Sequence, residues 1–109
     1  MNSQVLIMEV VYFYDQKFKK DVDALLEDEF FKRLGPMVRE AALVGGKRKE
    51  GLYLYVKAEN PEKMKIAESK IAESKIALTK LAGEEEKLVF DAIHEEEEAA
   101  ASGMGSIFG

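Results

Sequence analysis

Between residues 5 and 14 the chain is apolar at every position but Glu9, in the order VLIMEVVYFY. A run this short, β-branched and aromatic predicts a strand covered on at least one face. After a charged connection, Leu25, Leu26, Phe30 and Leu34 recur at helical spacing, and Asp21 or Asp23 offers an oxygen to the first free N–H groups. The spacing predicts a helix over 21–34, closed by Gly35 and Pro36, since Gly suits the C-terminal cap and Pro cannot continue the helix. Residues 38–44 alternate weakly and predict a second strand. The glycines of 45–51 predict a turn. From 52 to 58 the alternation is sharp, with Leu52, Leu54 and Val56 on one side and Tyr53, Tyr55 and Lys57 on the other. That is a third strand.

The longest signal follows. Asn60 and Pro61 open a predicted helix over 61–82: Asn caps free N–H groups, and Pro at the first helical position loses no needed donor,. Inside it a five-residue repeat, IAESK twice and then IALTK, begins at Ile66. Such a period turns about 140° per repeat and builds no single stripe. The stripe comes instead from Met64, Ala67, Ile71, Ser74, Leu78 and Leu81,. Ile66 and Ile76 fall outside it, so the helix is apolar on more than one side and is expected to make two contacts. Gly83 interrupts the pattern, and a further helix is expected over 84–101, with Leu88, Val89, Ala92, Ile93 and Ala99 on one side. Residues 102–109, SGMGSIFG, read as a flexible apolar tail.

The element order is β-α-β-β-α with an added C-terminal helix, all in one domain over 1–101. Crossover rules place the first strand beside the third, the second outside it, and the two helices over 21–34 and 61–82 on one face. This is α+β, a ferredoxin-like three-stranded sheet, antiparallel or mixed, that lacks the fourth strand. Its first strand would carry a bare edge, which proteins commonly cover with a partner or a returning segment.

Composition narrows the class. With 109 residues, 47% hydrophobic, the chain is long enough for one modest core,. It has no run of eighteen apolar residues and no signal-peptide pattern, so neither a membrane span nor secretion is expected. The absence of Cys excludes disulfides, thiolate metal sites and a cysteine nucleophile,; a reducing cytoplasm is the expected compartment. A 34% charged content with two Asn and two Gln matches the bias of thermophile proteins,. The net charge of -5 sits wholly in residues 61–109, which argues against nucleic acid as a partner.

Four groups carry candidate chemistry. Asp91, His94, Glu95 and Glu98 share one helical face, where oxygens and an imidazole could converge on a metal ion,; the plainer reading is a solvated acidic face. Lys47, Arg48 and Lys49, opposite Lys17, Lys19 and Lys20, flank a sheet bearing Tyr53 and Tyr55. Single-stranded RNA is held on such surfaces, but the aromatic frame is displaced by one residue, and a solvated hairpin tip is the simpler reading. Tyr53 and Tyr55, with either Val11 and Phe13 or Tyr12 and Tyr14 of the first strand, give the sheet an aromatic face, expected to bury against another subunit or the added helix,. Met104, Ile107 and Phe108 make the tail a docking segment,.

Catalysis has little to stand on, with one His, no Cys, no nucleophile elbow, and a Gly45-Gly46 turn that opens no helix,. No cofactor is implied. The expected function is therefore self-association or protein-adaptor binding, through Tyr12, Tyr14, Tyr53, Tyr55, Ile66, Ile76, Met104, Ile107 and Phe108. The alternative is a small-ligand or metal-responsive module using the acidic helix face or an inter-subunit cavity.

Overall fold

The computed structural model describes the backbone of residues 7–108 and side chains through Ala100. Val5 and Leu6 of the expected first strand lie outside the described residues. Strands are β1 Met8–Tyr14, β2 Met37–Glu40, β3 Leu52–Ala58 and β4 Thr79–Lys80; helices are α1 Lys19–Leu25, α2 Glu29–Leu34, α3 Ala41–Val44, α4 Pro61–Ser74 and α5 Gly83–Phe108. The class is α+β, with one open four-stranded antiparallel sheet in the order β2-β3-β1-β4. β1 pairs with β3 along its whole length, from Met8 opposite Ala58 to Tyr14 opposite Leu52. The hydrophobic run of the sequence thus occupies the centre of the sheet, where both faces exclude water.

Alternation along β1 and β3 sends side chains to two cores. Val10, Tyr12, Tyr14, Leu52, Leu54 and Val56 pack with Val22 of α1, Phe31 of α2 and Met64, Ala67 and Ile71 of α4. Val11, Tyr53 and Tyr55 pack with Ala41, Leu81 and with Val89 and Ile93 of α5. α1, α2 and α4 thus share one face of the sheet. α5 covers the side opposite α1, α2 and α4, because Val89 and Ile93 supply an apolar face that the tyrosine side of the sheet otherwise lacks.

The fourth strand is the main correction. The expected helix over 61–82 ends at Ser74, and Lys75 takes a left-handed conformation at φ 62. The Ser74 hydroxyl donates to the Ile71 carbonyl at 2.6 Å and accepts from the Ile76 N–H at 3.2 Å, which turns the chain out of the helix. The third, degenerate repeat then supplies β4, with Lys80 opposite Tyr12 and Thr79 opposite Phe13, and the Leu81 N–H donates to the Val11 carbonyl at 2.9 Å. The pull of unpaired β1 groups, acting on a segment with Ile and Thr, outweighs continued helix. The edge expected to be bare is thus covered over part of its length.

Other boundaries shift for local reasons. The expected helix over 21–34 is two helices, because Asp28 accepts from the Phe30 N–H at 3.0 Å and starts α2 afresh,. The second strand stops at Glu40, and Ala41 begins a helical turn whose first N–H donates to the Gly51 carbonyl at 3.0 Å. Gly51, at φ 92, also lies against the Phe13 ring, where an added Cβ would come within 2.5 Å. α5 runs from Gly83 to Phe108, through the stretch expected to be a flexible tail. Extending an existing helix costs far less than starting one, even across Gly103 and Gly105.

Candidate functional site

The polar chemistry of this fold gathers where α5 crosses the sheet. At its start, Glu85 receives the Arg48 guanidinium through Nε and, at 3.3 Å, through Nη2, and the Tyr53 hydroxyl at 2.7 Å. The same guanidinium lies 3.8 Å from the centre of the Phe13 ring, a stacked cation that an ammonium would replace poorly. The Arg48 hydrogen bond holds the Glu85 carboxyl below the usual carboxylate range against a smaller burial effect. Burial first, then the hydrogen bond to Glu85, pushes the Tyr53 phenol up to about 12.

Near the middle of α5, one oxygen of Glu9 takes two partners. The Tyr55 hydroxyl donates to it at 2.5 Å, and His94 Nε2 lies 2.5 Å from it. Phe90 stacks on the His94 ring with planes 12° apart and meets Tyr55 edge-on. Burial would raise the Glu9 pKa, but hydrogen bonds from Tyr55 and His94 with the charges of His94 and Lys57 outweigh it, and the net direction is down. Burial and the Glu9 contact together push the Tyr55 phenol up strongly. Beyond this point Arg39 of β2 holds Glu96 through Nε at 2.9 Å and Nη2 at 2.6 Å, and Lys57 of β3 lies 3.7 Å from Glu97. The Arg39 hydrogen bond keeps the Glu96 carboxyl low.

These contacts place the sequence-derived candidates. His94 turns to Glu9 on β1, not to its helical neighbours; Asp91 pairs with Lys87 at 3.1 Å, and Glu95 and Glu98 are exposed. Among the described residues no group of three metal-ligating side chains is assembled, so helical spacing alone does not bring that quartet together. Tyr12, Tyr14, Tyr53 and Tyr55 are all buried inside the chain, the first two under α1, α2 and α4, the others under α5. They present no free aromatic face. Ile76 packs at the margin of the first core, while Ile66 is 45% exposed on the outer side of α4. The side chains of Met104, Ile107 and Phe108 lie outside the described residues. No described helix is long and apolar enough to cross a membrane.

Sequence reasoning missed the three carboxylates that fasten α5. Glu9 stood out as the one charge in an apolar strand, a signal that it needed a partner. Glu85 and Glu96 were indistinguishable from their glutamate neighbours, since only the path of α5 selects them. The basic turn is also placed: Gly45, Gly46, Lys47 and Arg48 border an open cleft of about 780 Å³ with Tyr53, Glu84, Glu85 and Leu88. Of its two cations, Arg48 is already paired with Glu85.

The remaining feature is where α5 goes. Its last described contacts with the sheet are at Glu96 and Glu97, yet the helix continues to Phe108, about 17 Å further at 1.5 Å per residue. From Ala99 to Phe108 this extension carries no charged side chain. Comparison with protein-family models, curated proteins and solved structures gives no match.

Proposed function

We propose that this protein works by association, with the C-terminal end of α5 as its contact element and a second copy of the chain as its first partner. The observation that carries the reading is the uncharged end of α5, extending past the last described contacts with its own sheet. A helix end bearing Met104, Ile107 and Phe108 gains little from water, and burying each of the three would contribute roughly 1.5–3 kcal/mol before ordering costs. The partial cover of β1 by the two-residue β4 adds a second, weaker opening at the sheet edge,.

In this reading the strand order β2-β3-β1-β4 is a ferredoxin-like sheet completed by the degenerate repeat, and α5 is the addition that turns it into an assembly unit. The assembly is cytoplasmic and draws on no cofactor and no nucleic acid. No reaction is assigned to it. The test replaces Met104, Ile107 and Phe108 together by Ser. The variant should keep the far-ultraviolet circular dichroism of β1–α4 and run as one chain where the parent associates. Equal association of the two would overturn the reading.

A second reading rests on the cleft beside Gly46, where a small ligand would meet Lys47, Tyr53 and Leu88. It predicts a saturable melting shift with a ligand that Gly46→Leu abolishes, since an added Cβ there already comes within 2.5 Å of Leu88.

A further inference from the structure

The five residues IAESK stand twice in succession, and the chain treats the two copies differently. Residues 66–70 are helical throughout. Residues 71–75 are identical to them, yet there α4 ends at Ser74 and Lys75 takes φ 62. The Ser-Lys pair therefore carries no stop signal of its own. Lys is also poorly suited to the turn, since a left-handed conformation crowds any side chain with a Cβ. The Ser74 hydroxyl holds the turn by taking the Ile71 carbonyl, which a continued helix would give to the Lys75 N–H,. One more helical turn would set Leu78 seven residues past Ile71, on the buried face of α4,. A helical path through 75–78 is thus compatible with the sequence, and the turn present is strained.

Beyond this joint lie β4 and α5, and what fastens them stands before it. β4 pairs with β1, Val89 and Ile93 pack on the tyrosine side of the sheet, and Glu85 and Glu96 hold Arg48 and Arg39. A second copy offers the same partners in the same positions. Straightening the joint would carry β4 and α5 away from their own sheet and toward that of a neighbour, which would give its own segment in return. The exchanged and closed forms would then share these contacts and differ in backbone at the joint alone. Short joints under strain favour such an exchange, opposed by the entropy of bringing two chains together.

We infer that two copies of the chain exchange β4 and α5, with residues 75–78 as the hinge and each α5 covering the tyrosine side of the other copy's sheet. This goes beyond the association reading above, because it reuses contacts made within one chain and none by Met104, Ile107 or Phe108. Exchange requires α5 to leave its own sheet first, so it is reached through partial unfolding at high concentration.

The test uses the full chain with Met104, Ile107 and Phe108 replaced by Ser, so that the end of α5 plays no part. It is held at about 1 mM, the effective concentration a short link gives its own segment, in urea just below the unfolding midpoint. After dilution into buffer the species are separated by size. Lys75→Gly, which relieves the turn, should lower the yield of persistent dimer about tenfold or more. Lys75→Val, checked for folding by circular dichroism, resists the left-handed turn more than Lys and should raise the yield. Mixing identifies the exchange itself. Arg39→Glu and Glu96→Arg each set like charges against one another within one chain. Opposite charges return at both places only when one of these variants exchanges with the other. Refolded together, they should give heterodimer above the half expected from random pairing, read by native mass spectrometry. Random pairing, equal yields for Lys75→Gly and Lys75→Val, or no persistent dimer overturns the exchange, and none of these results bears on association through the end of α5.

Discussion

Tyr14 shows how far a single side chain departs from what its residue type suggests. It is 1% exposed, and its hydroxyl has no hydrogen-bond partner among the described residues. Burial, and then the nearby charge of Asp23, pushes its phenol up to about 12. A buried donor without a partner costs about 1–3 kcal/mol, so Tyr14→Phe should leave stability unchanged or raise it by about 1 kcal/mol. Denaturant unfolding reads this directly, and a loss of similar size would mean that the hydroxyl is bonded in solution. Lys75 gives the opposite case, a side chain in a conformation meant for glycine, at φ 62. Lys75→Gly should stabilise by roughly 1 kcal/mol, because the left-handed penalty at the end of α4 disappears. A destabilised variant would show that the Ser74 turn depends on the lysine side chain.

Among the elements, α5 is fastened by carboxylates in addition to the buried Val89 and Ile93. Glu9, Glu85 and Glu96 all have pKa values lowered from 4.5 in the fold. A carboxyl with a lowered folded pKa adds stability that is fully present above its unfolded value and lost as pH falls through the folded one. Acid should therefore loosen α5 first, from about pH 4.5 downward. Hydrogen exchange at decreasing pH should show α5 amides losing protection before those of β1 and β3. Simultaneous loss would contradict this account of how α5 is held.

The elements also differ in how far they could be read from the sequence. β1 and β3 were legible because both are long, β-branched or aromatic, and paired along their full length. β4 was not, because Thr79 and Lys80 form a strand only when the open edge of β1 is beside them. The break at Asp28 was hidden, since Leu25, Leu26 and Phe30 keep helical spacing across it. The site was half visible: Glu9 and His94 each stood out, but no local pattern shows that these residues, 85 positions apart, meet.

For the whole molecule, the account is of a closed three-layer body from which one helix extends. Two bodies of charge -5 repel as they approach, and salt screens that repulsion. Association should therefore tighten when ionic strength rises from about 0.05 to 0.5 M, in contrast to a contact built on opposite charges. Glycines 103 and 105 each cost the extension about 1 kcal/mol of helix stability relative to Ala, so the end of α5 should be most helical when assembled. The most direct test of the central claim is sedimentation equilibrium of the intact chain at micromolar concentration and moderate salt. The account predicts a mass of twice the 12.3 kDa of one chain. A mass of 12.3 kDa at every concentration would contradict it.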